Sequence, residues 1–346
     1  MSDAAPRIGR PAGTCPDTVR MMSDAAPRIG LVLGAGGVAG GAFHAGVLAA
    51  LHDVTGWDPR SAAVIVGTSA GSIAGAALRA GLSAADSLAR AQDQRLSPEG
   101  ERLLREVGAP RPPTRLRPNR DTRLAAQLVA TLGRAAAQPF KARPLALLAG
   151  LLPDGSVSTD MIAEGISALH DDDWPLDPLW ICAVRQGDGR RVVFGRDDRK
   201  PPLPDAVAAS CAIPSFFQPV AIDGETYIDG GVHSPTNADV LRRLEPGLDL
   251  VLVSSPMSVA GSGVRLAADQ PARRWSATLL VGEVRRLRRV GIPVLAFQPT
   301  PADASVMGAN AMDLTRRAAI AAQAYESTRR RLERADTRER LAPLLA

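Results

Sequence analysis

The chain has few aromatic residues, few histidines and only three cysteines, and each shortage closes off a class of protein. Cys15, Cys182 and Cys211 are odd in number and widely spaced. They make neither a disulfide framework nor a metal-ligand pattern, so a reducing cytoplasm is the expected compartment. The four histidines, His44, His52, His170 and His233, leave little room for a histidine-based metal site. Aromatics make up 3% of the chain beside heavy use of Ala and Arg, a bias that reflects genome composition more than function. No run of about 18 apolar residues occurs, which argues against a membrane-spanning helix. No apolar stretch follows a basic start, as it would in a signal peptide. What is present is 346 residues, 45% hydrophobic and 22% charged. That is the composition of a globular protein with a substantial core.

The nine residues Met1 to Gly9, MSDAAPRIG, recur as Met22 to Gly30. Chance does not produce such a repeat, and a cloning duplication or a mis-assigned start is the expectation. Residues 1–26 read as a flexible tail, and residues 27–340 as one large domain, because no linker divides them. Net charge is +5, unevenly spread. Between Arg90 and Gly150 twelve basic residues face five acidic ones, and Arg285, Arg286, Arg288 and Arg289 form a second basic cluster. Solvated helix faces and peripheral contact with an anionic membrane both fit such clusters. Nucleic acid is not an expected partner, because no recognition motif accompanies the charge. Oligomeric state is not legible.

Ile29 to Leu33 is a short apolar run ended by glycines, and Gly41 to Leu51 then reads as a helix. Ala62 to Val66 is a second buried strand, followed by Gly67 and a helix of small residues to about Ala80. This alternation predicts an α/β fold on a mainly parallel sheet. Residues 95–125 hold five prolines among arginines without clean periodicity, and they read as a loop or helical cap within a variable basic segment, 90–150. Residues 141–153 are intensely apolar and suit either a core or a lipid-site cover. Strands are expected at 179–184, 191–194, 220–222, 226–228, 250–254 and 294–297. Helices are expected at 159–169, 203–210, 236–243, 271–290 and 312–335.

Three clusters carry chemistry. Gly67-Thr68-Ser69-Ala70-Gly71 is a G-x-S-x-G sequence directly after the strand Val64-Ile65-Val66. A sharp strand-to-helix turn there lifts the Ser69 hydroxyl out of the backbone, and the helix that follows aims its positive end at a developing oxyanion. Gly34-Ala35-Gly36-Gly37-Val38-Ala39-Gly40-Gly41 follows the first strand and suits a phosphate cradle or an oxyanion hole. Its order satisfies the dinucleotide fingerprint, but the second strand ends in Gly67-Thr68-Ser69 where that fold wants an acid for the ribose. Asp229-Gly230-Gly231 places a carboxylate at the end of a strand. Alone it would read as an ordinary Asp-Gly turn.

Together these three segments resemble the patatin-like phospholipase family. LVLGAGGVAGGAFHAGVLAAL resembles its glycine-rich oxyanion loop and following helix. VGTSAGSIAGAAL resembles its nucleophile elbow. AASCAIPSFFQPVAIDGETYIDGG is similar to the segment that ends in its catalytic Asp-Gly-Gly, and the likeness runs from about residue 28 to 335. The resemblance implies a three-layer α/β/α fold and a serine lipid acyl hydrolase with a Ser-Asp dyad, no catalytic histidine, no metal and no cofactor. Ser69 would be the nucleophile and Asp229 the base. Backbone N–H groups of Gly36, Gly37 and Val38 would form the oxyanion hole, and the motif glycines are Gly34, Gly40, Gly67, Gly71, Gly230 and Gly231. The substrate would be a lipid or another ester. The family's basic residue before the last loop glycine is Ala39 here, and its leading glycine is Ala35. Ala39 supports a second expectation, a catalytically weak lipid-binding or regulatory protein. His233, four residues past Asp229, invites a Ser-His-Asp arrangement, whereas a turn residue is the plainer reading. His44 is expected to pack or cap beside the glycine loop.

Overall fold

The computed structural model describes residues 26–106, 154–170, 173–259 and 270–345. The expected tail, most of the basic segment and the apolar run 141–153 lie outside the described residues.

Five strands run parallel at the heart of one sheet: β1 (Ile29–Leu33), β2 (Val64–Thr68), β3 (Leu179–Arg185), β7 (Leu250–Ser254) and β8 (Val294–Phe297). Three further strands pair antiparallel: β4 (Arg191–Phe194), β5 (Val220–Ile222) and β6 (Glu225–Asp229). Hydrogen-bonded neighbours follow the path β5-β6-β3-β2-β1-β7-β8, with β4 also on β3. Near-continuous burial of β1, β2 and β7 is what a sheet covered on both faces demands of its sequence.

Side chains alternate between two cores. Leu31, Leu33, Ile65, Ile181, Leu250 and Leu252 point into one, and Val32, Val64, Val66, Val251 and Val253 into the other. The first core is closed mainly by α1 (Gly37–Thr55), α2 (Ala70–Arg79), α6 (Leu203–Cys211) and α9 (Arg317–Leu332). The second is closed by α7 (Gln270–Arg289) and a 3-10 stretch, Ala238–Arg243. Helices on both faces of a mainly parallel sheet give the three-layer α/β/α fold expected from the sequence.

Several elements depart from the expected ones. Residues 95–125, expected as a loop or helical cap, begin with a helix, α4 (Pro98–Glu106), and an unanticipated α3 (Ala84–Ala91) precedes it. Asp86 organises that corner, its carboxylate accepting from Ser83, from the Ser97 backbone and from the Ser97 hydroxyl. The helix expected at 236–243 is a tighter 3-10 turn, because Asn237 stands before it at φ 53° and blocks a normal α-helical entry. The helix expected at 312–335 is split: a 3-10 turn, Leu314–Arg316, is capped by the Asp313 side chain before α9 begins. A short helix not anticipated, α8 (Pro301–Met307), starts on a Thr300–Asp303 capping box. The 3-10 turn Pro59–Ser61 and the short helices Ala335–Arg340 and Ala342–Leu345 were not anticipated either, whereas α5 (Asp160–His170) follows the expected helix.

One edge of the sheet is β8. Arginines cover its outward carbonyls: Arg288 donates to Val294 at 3.2 Å and Arg331 to Ala296 at 2.6 Å.

Candidate active site

One strand brings the distant motifs together. Along β3, Cys182 registers with Thr68 of β2, and the next residue, Ala183, registers with Asp229 of β6. Since β4 pairs with residues 181–184, β2 and β6 must lie end to end on the opposite edge of β3. Ser69 leaves the tip of β2 where Asp229 ends β6. A separation of 160 positions in sequence thus becomes adjacency in space.

Ser69 sits in the elbow between β2 and α2, with φ 53° and ψ −121°. A non-glycine residue there is held against its own preference, at a cost of about 1–3 kcal/mol, and surrounding contacts must over-determine it. Those contacts are visible. The Ser69 N–H donates to the Ser210 hydroxyl at 2.9 Å, and Ser210 donates onward to the Cys182 carbonyl at 2.7 Å. The Ser72 hydroxyl donates to the Ser69 carbonyl at 2.6 Å. Gly71 lets α2 press on β1, because a Cβ at that position would lie 1.9 Å from the Leu33 carbonyl oxygen.

Asp229 is buried, with only 5% of its surface exposed. Burial pushes its carboxyl up to about 6, although hydrogen bonds from the Gly231 N–H and the Ser69 hydroxyl pull the other way. The Gly231 N–H bond is 2.7 Å long. Cys211 also lies against the Ser69 hydroxyl, and burial drives its thiol far above the ordinary range, so it stays protonated.

The glycine loop closes the opposite side. Gly34 and Ala35 donate their N–H groups to Ser254 and Pro235 carbonyls, at 3.0 and 2.7 Å. Ala39 donates to the Ala311 carbonyl at 2.9 Å, and Gly40 to Gly36 at 2.7 Å. The N–H groups of Gly36, Gly37 and Val38 have no acceptor among the described residues, and they stand at the N-terminus of α1, where the helix leaves donors free. Gly37 has φ 58°, and Ala311 and Met312 crowd the space its Cβ would need. Gly231 lies against the Ala35 side chain, so the Asp-Gly-Gly turn and the loop share a wall.

His44 explains how the loop keeps its shape. Its imidazole is fully buried, 2.7 Å from the Gly34 carbonyl and 2.8 Å from the Ser254 hydroxyl. The carbonyl can only accept, so Nε2 carries the proton and Nδ1 accepts from Ser254. Burial lowers its pKa to about 4, which keeps the ring neutral. Packing beside the loop was the expected role, and this is its form. His233 makes no side-chain hydrogen bond to Ser69 or Asp229 among the described residues. Burial and the charge of Arg191 lower its pKa to about 4. Ala39 is buried, and its position in the loop carries no basic side chain.

Sequence reasoning missed three residues of this neighbourhood. Ser210 lay inside the quoted segment AASCAIPSFFQPVAIDGETYIDGG, in its Ser-x-x-Ile-Pro part (residues 210–214), and that was the available signal. Asn237 and Glu283 gave no signal beyond a polar residue among apolar neighbours. Among the described residues no cluster of His, Cys, Asp and Glu could hold a metal ion, and no helix is long and apolar enough to cross a membrane.

A family model described as patatin-like phospholipase matches residues 31–242. Among solved structures, VipD from Legionella pneumophila is similar at 13% identity with a TM-score of 0.42, covering 89% of this chain and 67% of that one. The type III effector protein ExoU is similar at 17% identity with a TM-score of 0.38. That match covers 91% of this chain but spans only 54% of ExoU.

Proposed function

Since the chain belongs to the patatin-like phospholipase family, we propose that it is a serine lipid acyl hydrolase of the phospholipase A, lysophospholipase or esterase type, working through a Ser69–Asp229 dyad. The observation that carries this reading is the strained elbow of Ser69 against a buried carboxylate. In the first step the Ser69 hydroxyl attacks the ester carbonyl while Asp229 takes its proton. The carbonyl oxygen turns negative and is held by the N–H groups of Gly36, Gly37 and Val38. The alkoxide or lysolipid leaves with the proton from Asp229, and an acyl-serine remains. Water, deprotonated by the same carboxylate, attacks the acyl carbon, and Asp229 returns that proton to Ser69 Oγ as the acyl–oxygen bond breaks and the fatty acid leaves.

A carboxylate is a weak base toward a hydroxyl. Two features support its use here. Burial raises Asp229 to about 6, nearer to neutral pH, where a base is most effective. Three N–H groups at the N-terminus of α1 have no acceptor among the described residues, and one oxyanion donor is typically worth about 10²–10³ in rate.

The test is hydrolysis of p-nitrophenyl acyl esters. Ser69→Ala and Asp229→Ala should each abolish it with the fold intact, and wild-type activity in either variant would sink the dyad. Ala39 favours a second reading, a lipid-binding or regulatory protein with weak turnover. A fluorophosphonate probe separates the two, since labelling at Ser69 requires an activated nucleophile. Peripheral contact with anionic membranes also belongs to the proposal, resting on Arg285, Arg286, Arg288 and Arg289 of α7. Co-sedimentation with vesicles should then rise with their anionic lipid content.

A further inference from the structure

Asn237 is buried completely and adopts the left-handed conformation, φ 53° and ψ 25°, which asparagine tolerates better than most side chains. Its Nδ2 faces three acceptors: the Thr68 hydroxyl at 3.2 Å, the Gly230 carbonyl at 3.3 Å and the Ser234 carbonyl at 2.6 Å. Thr68 immediately precedes Ser69, and Gly230 immediately follows Asp229. Two N–H groups serve these three acceptors, so one is shared, and a single amide reaches the neighbours of both members of the dyad.

The orientation of that amide is fixed. Arg191 donates to Asn237 Oδ1 at 3.1 Å, and Asp239 holds Arg191 at 2.6 Å, so the NH₂ must face the dyad side. The backbone is clamped as well. Glu283 on α7 accepts from the Thr236 hydroxyl at 2.5 Å and from the Ala238 N–H at 2.9 Å, one residue to each side of Asn237. No other residue described links the elbow strand to the Asp-Gly-Gly turn through its side chain and is itself held from both flanks.

We infer that Asn237 is a positioning residue that fixes the separation of Ser69 and Asp229 by tying Thr68 to Gly230, supported from behind by Arg191 and Glu283. The inference rests on the dyad reading above. Sheet register sets the two strands end to end along β3 to within a pairing step. It does not fix the tips, where both chains leave the sheet. A misplacement of about 1 Å at a reacting pair can lower turnover on the order of 10²-fold, so a tie at the tips bears on the chemical step.

The test uses Asn237→Gly, which removes the amide yet accepts the left-handed backbone, and Thr68→Val, which removes one arm and keeps the shape. Both are measured with the double variant on p-nitrophenyl esters and for the rate of fluorophosphonate labelling. Asn237→Gly should lower kcat and the labelling rate by about 10–100-fold with KM nearly unchanged. Thr68→Val should lower kcat several-fold, and the double variant should be no slower than Asn237→Gly alone. A folded Asn237→Gly protein with wild-type kcat would overturn the inference, as would fully additive losses in the double variant. Should Asn237→Gly fail to fold, Thr68→Val decides, and an unchanged kcat there overturns it. Activity that survives in Ser69→Ala would instead remove the dyad reading itself.

Discussion

The Ser69 backbone N–H donates to the hydroxyl of Ser210, a residue on the far end of α6 that itself donates to the Cys182 carbonyl. This relay ties the elbow to β3, the strand that also receives Asp229. Ser210→Ala would leave a buried N–H and a buried carbonyl unpaired. Each such group costs about 1–3 kcal/mol. The variant should melt earlier than wild type by several degrees and lose hydrolysis disproportionately, as the elbow relaxes from its positive φ. Thermal melts and esterase kinetics on one preparation check both outcomes.

Activity should fall on the acid side with a midpoint near the Asp229 value of about 6, because only the carboxylate can take the serine proton. A kcat/KM profile between pH 4 and 9 reads it. A midpoint at the ordinary carboxylate value would show that burial does not set the base.

Asp229→Asn separates stability from chemistry. The native carboxyl titrates at about 6, above its value of 3.8 in the unfolded chain. Below the lower value both states are protonated and nothing is lost. As pH rises from there to about 6 the unfolded chain ionises first, so folding becomes progressively less favourable, and above about 6 the full cost remains. That cost is on the order of 3 kcal/mol. Asn keeps an acceptor for the Gly231 N–H and carries no charge. The variant should therefore be inactive yet more stable than wild type at pH 7–8, with the gain fading toward pH 4. Denaturant unfolding at three pH values tests it.

His44→Phe should damage the oxyanion loop rather than the dyad. The ring would fill much of the space but leave the Gly34 carbonyl and the Ser254 hydroxyl without partners. We expect a loss of stability of about 2–4 kcal/mol and lower turnover. Slow fluorophosphonate labelling should persist, because Ser69 and Asp229 are untouched.

Much of this site was legible in the sequence because its signals are local. A β-strand ending in G-x-S-x-G needs only nearest neighbours to define an elbow, and Gly34 to Gly41 declares its turn by composition. The strands at 191–194, 220–222, 250–254 and 294–297 match the apolar runs residue for residue. The register of β3 was not legible. Nothing in LWICAVR says that Cys182 and Ala183 will serve two different strands on one edge. The same applies to Asn237: its importance comes from Thr68 and Gly230 meeting in space. The start and type of the 236–243 segment were misread for a related reason, since a buried left-handed asparagine overrides helical periodicity.

The arginines that cover β8 carry a consequence for handling this protein. Val294 and Ala296 expose the carbonyls through which another copy's strand would zip on, and Arg288 and Arg331 occupy them with cations. With that edge occupied by its own side chains, the sheet cannot extend into a neighbour's, and the fibre-forming route is shut at β8 before packing of any other kind has to oppose it.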